Sequence, residues 1–417
     1  MTAAPGPAPS LAGRGTDRGA LLRQLTLFLA ILISGGLLIF PRIPILLLML
    51  SLCLFLPGFR LVIRRETVPV LVLFCAILLV SLLRPGPLQL ESLAIRVANF
   101  VAGFALLNVY LAQGYGNLSH DLYRILGWMA VQALATVAAA LVVPFLFVPI
   151  TIAETTYQTV LLVLNYHVMI EDAGLLVRPD GFFYEPGVFQ IYLNLHLYLA
   201  LFVFRSRRRT ALALAAVLST QSTTGLVICL ILLGAYAFGE MRRTSLRRRI
   251  LVGFAAALLA APIGGLVYQN VMAKLYGEAQ GSSWARTYDL ITGLNVLAAH
   301  PWIGIGFDHD RYREEAVRLG YADTQLDAGQ AAERSTSNGI LFLLYSLGVP
   351  LSLPFLFGMF RQRFFPHRAL IGLLLFLSFL SESIISTPVF QMLIFSGLLL
   401  PHAAPVAVGA ARRAAAP

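Results

Sequence analysis

The stretch Thr210–Gly239, TALALAAVLSTQSTTGLVICLILLGAYAFG, is apolar along most of its length and has arginines at both ends. Arg205, Arg207, Arg208 and Arg209 precede it, and Arg242, Arg243, Arg247, Arg248 and Arg249 follow it. In a bilayer, basic residues between apolar runs collect on the cytoplasmic side. Both ends therefore belong on that side, and a single crossing does not fit. The polar break Ser219-Thr220-Gln221-Ser222-Thr223-Thr224-Gly225 offers the solution: two short passes that meet near the outer face. Irregular backbone at such depth needs protein or a water-filled cavity to satisfy it, so this hydroxyl-rich turn is expected beside any site on that face.

The rest of the chain fits the same frame. Its residues are 58% hydrophobic and 12% charged, with a mean hydropathy of +0.78, which excludes an ordinary soluble domain. The net charge of +11 would suit nucleic acid, but the arginines stand in clusters between apolar runs, among them Arg60, Arg64, Arg65 and Arg361, Arg363, Arg368. Membrane orientation explains the basicity, so membrane lipids are expected partners and nucleic acid is not. Cys53, Cys75 and Cys229 all lie in apolar runs, which suggests neither a disulfide framework nor a thiolate metal site.

A bilayer core of about 30 Å needs about 20 helical residues. By that measure residues 21–150 hold five spans: Leu21–Phe40, Pro44–Phe59, Thr67–Leu83, Leu93–Ala112 and Tyr123–Ile150. Residues 188–267 hold Val188–Phe204, the short re-entrant-like pair at 210–239, and Ile250–Val267. Residues 338–403 hold the last three, Asn338–Phe360, Arg368–Leu380 and Val389–Leu400. The expectation is an all-α polytopic membrane protein with about twelve transmembrane helices and both termini cytoplasmic. Residues 1–20, rich in Ala, Gly and Pro, read as a disordered cytoplasmic N-terminus, and 404–417 as a cytoplasmic tail. No small-x-small cleavage site follows the first run, so it reads as an uncleaved span rather than a signal peptide.

Two long loops then face outward, 151–187 and 268–337. The first carries Arg178-Pro-Asp-Gly-Phe-Phe-Tyr-Glu-Pro-Gly at the mouth of a span. Arg178 offers a permanent charge and a planar fork suited to phosphate, or else pairs with Asp180 or Glu171, or snorkels to headgroups. Glu185 sits before Pro186, which suits a first helical position, so it either caps that helix or orients a sugar hydroxyl. In the second loop Trp284–Ala299 has helical periodicity, with Leu290, Leu294 and Leu297 on one face, and is expected on the membrane surface. Asp308–Arg318 reads as a solvated helix.

Arg286 is a second outward arginine, with Asp289 at a pairing distance on the same helix. His300 either caps the C-terminus of that helix or contacts substrate. The turn Gly304-Ile305-Gly306 lacks the strand–turn–helix setting of nucleotide loops. Ser337 and Asn338 stand where a helix cap is expected. Glu382 is the one acid between the last two spans, a costly depth for a carboxylate unless it snorkels or functions. No HExxH, DxD or Walker-type loop occurs, so no cofactor or metal is expected and a cytoplasmic sugar-nucleotide transferase is disfavoured.

The order Arg178-Pro-Asp-Gly-Phe-Phe-Tyr-Glu-Pro-Gly, Ser-Trp-Ala-Arg286, His300-Pro-Trp-Ile-Gly-Ile-Gly-Phe and Ser337-Asn338-Gly-Ile-Leu-Phe resembles the O-antigen ligase/polymerase superfamily of bacterial inner-membrane proteins. The likeness runs from about Arg178 onward. It implies a metal-independent membrane glycosyltransferase of GT-C-like type, working at the periplasmic face on polyprenyl-pyrophosphate-linked glycan donor and acceptor, with a chain-length regulator as partner. By position, Arg178 and Arg286 match the family's functional arginines and would stabilise the leaving pyrophosphate. Glu185, or else Asp308, would orient or deprotonate the acceptor. Tyr184, His300, Asp308, Ser337, Asn338 and Glu382 complete the candidate substrate contacts. Ligases of this group carry a His directly before the Asn, and this chain has Ser337 there, which favours a polymerase of O-antigen or exopolysaccharide repeats. The rival readings are a ligase acting on another acceptor and a transporter or flippase. Spans almost free of charge disfavour the latter.

Overall fold

The computed structural model describes residues 17–36, 41–57, 59, 63–84, 90–152, 155–167, 177–242, 244–276, 280–318 and 336–400. Of the N-terminus expected to be disordered over 1–20, residues 1–16 lie outside the described residues and 17–20 instead begin a helix whose apolar run continues to Ile33; the expected tail 404–417 and Glu171 also lie outside the described residues. Fourteen helices are described. In chain order they are α1 Asp17–Ile33, α2 Arg42–Phe55, α3 Val68–Leu83, α4 Leu90–Gln113, α5 Tyr115–Val142, α6 Pro186–Tyr198, α7 Arg207–Ser219 and α8 Thr223–Arg242. They continue with α9 Leu246–Tyr276, α10 Gln280–Ala299, α11 His309–Arg318, α12 Gly339–Arg361, α13 Arg368–Ser381 and α14 Pro388–Leu398. Seven are long and apolar enough to cross a membrane, and α2, α13 and α14 are shorter apolar helices. The chain is a multi-pass, mostly helical membrane protein.

The break in Thr210–Gly239 is a turn between α7 and α8. Gln221 takes a positive φ of 52° there, and Thr220 Oγ1 donates to the Val217 carbonyl at 2.7 Å. This local hydroxyl bond satisfies part of the backbone that the helix end leaves open.

One element departs from the all-α expectation. Residues 148–167, expected as the end of a span and the start of a loop, form an antiparallel three-stranded sheet: β1 Val148–Ile152, β2 Thr155–Val160 and β3 Leu164–His167. Thr, Tyr and Val at alternating depth in β2 suit a half-buried strand, a period-two signal that apolar-run counting overlooks.

The centre of the bundle is built from two short helices, α6 and α14. Every residue from Val188 to Tyr198 is buried, as is every residue from Pro388 to Gly397. Each begins with a proline whose missing N–H costs nothing at a first helical position. At the other extreme, α9 is a peripheral helix with Leu251, Phe254 and Leu258 all exposed, as a lipid-facing helix requires. On α10, Leu290 and Leu294 are exposed while Asp289, Thr292 and Val296 are buried, so its apolar edge points away from the protein. α12 is interrupted at Gly348, where φ is 75°.

Candidate functional site

The sheet holds the motif that precedes α6. Asn165 of β3 donates from its side-chain amide to the Gly181 carbonyl at 2.7 Å, and its own carbonyl accepts the Asp180 N–H at 2.9 Å. Tyr157 of β2 donates its hydroxyl to the Tyr184 carbonyl at 2.8 Å, and the Tyr184 N–H reaches Gly35 after α1. Phe183 is buried and stacks on Tyr192 of α6 at 5.1 Å. Residues 179–184 are thus fastened from β3, α1 and α6 together, which removes freedom from the two residues that follow.

Tyr184 and Glu185 present their side chains to Glu382, at the end of α13. The Tyr184 hydroxyl donates to Glu382 Oε2 at 3.5 Å, and the Glu185 and Glu382 carboxyl groups share a hydrogen bond. Such a bond needs one proton between two acids. Burial, then the Glu185 charge and that bond, hold the Glu382 carboxyl well above the usual carboxylate range, while Arg286 and Tyr184 pull the other way. Glu382 is therefore the member that keeps the proton. Gly187 makes the approach possible: a Cβ there would collide with Glu382 Oε1. Burial and the same two acids also raise the Tyr184 hydroxyl well above its ordinary range.

Glu185 does not spend its side chain on capping. It occupies the N-cap of α6, where its carbonyl accepts from the Phe189 N–H, but its carboxylate makes no capping bond. The capping alternative is thus corrected: the backbone starts the helix and the acid is left for Glu382.

The two arginines engage different segments. Arg178 donates from Nε to the Thr220 carbonyl at 3.1 Å, in the turn between α7 and α8. Its charge reaches Asp180 and His167, as does that of Glu185. Arg286 lies on α10 with an exposed side chain, and its charge reaches Glu382. Its expected partner Asp289 is engaged elsewhere: Asp289 Oδ2 accepts from Ser337 N–H at 2.9 Å and Ser337 Oγ at 2.6 Å. Asp289 is only 2% exposed, and satisfying that buried carboxylate from the neighbouring segment outweighs a solvated pair along the helix. Asp180 likewise takes His167 Nδ1 at 2.9 Å rather than Arg178 as its hydrogen-bonded ion partner. Burial pushes the Asp180 carboxyl up to about 6, with His167 and Arg178 opposing. Burial alone would lower His167, but the bond and charge of Asp180 outweigh it and raise the imidazole.

The remaining candidates are held by ordinary structural bonds. Asn338 Oδ1 accepts the Leu341 N–H at 3.0 Å and caps α12, as the sequence alternative has it. Asp308 Oδ1 accepts the Arg311 N–H at 3.1 Å and starts α11. The His300 N–H closes α10 onto Val296 and Leu297, and its ring lies 3.4 Å from Glu315 of α11. These bonds start α11 and α12 and join α10 to α11. Gly339, the first residue of α12, packs against the Glu382 carbonyl, so the N-termini of α6 and α12 both sit beside Glu382. Helix N-termini carry partial positive charge, which favours an anion at this end.

Two arginines in this half of the molecule were not singled out from the sequence. Arg96 lies within α4 and Arg42 opens α2, and both line a cavity of about 750 Å³ that also has Tyr184 in its wall. The signal that marks Arg96 is a charge inside an apolar run, here Leu93–Ala112.

Residues 210–356 match the family model described as O-antigen ligase. The match spans α7 to α12 and takes in Arg286, His300, Asp308, Ser337 and Asn338. No curated protein and no solved structure matches the chain.

Proposed function

From the match of residues 210–356 to the O-antigen ligase family we propose that the chain is a member of the O-antigen ligase/polymerase superfamily and polymerises polyprenyl-pyrophosphate-linked oligosaccharide repeats at the periplasmic face of the inner membrane. The observation that carries this reading is the acid pair Glu185–Glu382, with Arg286 acting on Glu382 and Arg178 on Asp180 of the motif that carries Glu185. Glu382 is held in its neutral form by burial, and Glu185 is the carboxyl group assigned here to the acceptor's proton, the role of a general base.

In the proposed step, an acceptor sugar hydroxyl attacks the anomeric carbon of the donor. The new glycosidic C–O bond forms as the bond from that carbon to the pyrophosphate oxygen breaks. The hydroxyl proton passes to Glu185, and the electron pair leaves on the polyprenyl pyrophosphate. Arg178 and Arg286 stabilise the charge that develops there, aided by the N-termini of α6 and α12. The step is metal-independent.

The match to a model described as O-antigen ligase favours, as a second reading, transfer of the glycan to a different acceptor. The structural engagement of Ser337 with Asp289 weighs for the polymerase, because that position holds an anchor instead of the ligases' histidine. Product sizing in a deletion strain separates the two. A polymerase loss leaves single carrier-linked repeats, and a ligase loss leaves long carrier-linked chains. In the same strain, R178K and R286K are expected to leave single repeats. Normal polymer length with both variants present at normal protein levels overturns the assignment.

A further inference from the structure

A second feature of the same half of the molecule concerns how a lipid substrate is held. The cavity of about 750 Å³ lies between α2, α4 and the segment that joins α13 to α14. Its size falls in the range of small-ligand sites. Ile43, Leu47 and Ile95 form part of its wall and are also exposed on the outside of α2 and α4, at 55%, 59% and 39%. The cavity therefore opens sideways through an apolar surface, in a protein whose apolar surfaces face hydrocarbon.

The charges inside do not balance. Arg96 is partly buried, donates from Nη1 to Ser386 Oγ at 2.7 Å, and rests with its guanidinium carbon 4.8 Å from the Phe342 ring centroid and 5.7 Å from that of Phe307. Arg42 stands close enough for the two like charges to oppose each other. Among the described residues neither arginine has a carboxylate partner. Among the described residues Asp308 is the one acid in the wall, and one of its oxygens is already occupied by the Arg311 N–H. A cation placed in an apolar wall beside another cation is unfavourable unless an anion joins them.

We propose that this cavity holds the diphosphate and first isoprene units of a polyprenyl diphosphate, with Arg42 and Arg96 as ligands of the anion and the gap between α2 and α4 as the exit for the tail. The proposal rests on the lipid-diphosphate reading above and deepens it. A polymerase must hold two lipid-linked chains at once, one to donate and one to accept. Arg178 and Arg286 serve one diphosphate, and Arg42 and Arg96 serve the other. Tyr184, which lines the cavity and bonds Glu382, stands between the two.

The test uses the full chain in nanodiscs of phosphatidylethanolamine and measures equilibrium binding of farnesyl diphosphate. With two charge-assisted contacts removed, R42Q/R96Q is expected to weaken binding about a hundredfold. Arg42 lies at the exposed rim, so R42Q alone should fold normally and weaken binding about tenfold. R178Q/R286Q should leave a binding component that still depends on Arg42 and Arg96. Unchanged binding in R42Q overturns the proposal. So does displacement of the probe by phosphatidylglycerol as readily as by unlabelled farnesyl diphosphate, or equally tight binding of inorganic pyrophosphate, which would leave the apolar walls without a role. Binding is read without turnover, so a failure of the polymerase reading in R178K and R286K would appear separately.

Discussion

The Tyr184 hydroxyl meets the Glu382 carboxyl group across 198 residues of sequence, and it does so beside Glu185. The contact ties the motif before α6 to the end of α13, two segments with no local reason to be neighbours. It makes the chemistry of either acid depend on the other.

Because Glu382 keeps its proton, a neutral isostere should replace it with little loss, whereas Glu185 has to accept one. E382Q is expected to retain polymer formation within roughly tenfold of the parent, and E185Q to lose about 10²–10⁴-fold, the usual worth of a positioned base. Polymer yield per amount of membrane-inserted protein measures both. Equal losses in the two variants would show that Glu382 acts ionised.

Ser337 anchors α12 to α10 through Asp289. Removing its hydroxyl leaves the buried carboxylate one donor short, at a cost of about 1–3 kcal/mol. S337A should therefore lower the thermal unfolding midpoint in detergent while the activity of the remaining folded protein is kept. A loss of activity with an unchanged midpoint would instead assign the hydroxyl to chemistry.

His167 and Asp180 give the sheet a pH dependence. Both groups hold their protons more strongly in the folded chain than at their ordinary values of 6.5 and 3.8. The folded state thus binds more protons through this window, so stability is full at low pH and falls as pH rises through the folded values. Protection factors of 155–167 and 177–185, taken against the intrinsic exchange rate at each pH, should be lower at pH 8 than at pH 5. H167N should flatten that difference, and an unchanged difference would remove the pair as its source.

Gly304 and Gly348 lock the turn after α10 onto the break in α12. Both have positive φ, and a Cβ on either would meet the backbone of the other segment at Tyr345 or Trp302. G348A is expected to cost a few kcal/mol, since strain and overlap add at the same position. Reduced yield of folded protein, with the loss concentrated in exchange of α10 and α11, is the outcome to look for.

The helices were legible because apolar run length and arginine clusters report directly on a bilayer. The polar break at Ser219–Gly225 was legible for the same reason. The sheet was not, because β1 overlaps an apolar run and its strand periodicity covers only a few residues. Among the site residues, Arg178, Glu185 and Glu382 stand out as charges at helix mouths. That Glu185 and Glu382 share a proton is a matter of tertiary placement, which no local spacing encodes. Asp289 was assigned to Arg286 by helical spacing, and lost to a segment 48 residues away that could satisfy a buried oxygen better.

Gly187 sets the separation of the two acids. The room into which the Glu382 oxygen projects is the space that any other residue would fill with its first side-chain carbon. A lone methyl at this spot would act as a wedge, pushing the Glu382 carboxyl group away from Glu185. Every catalytic side chain would still be in place, with the contact between the two acids gone.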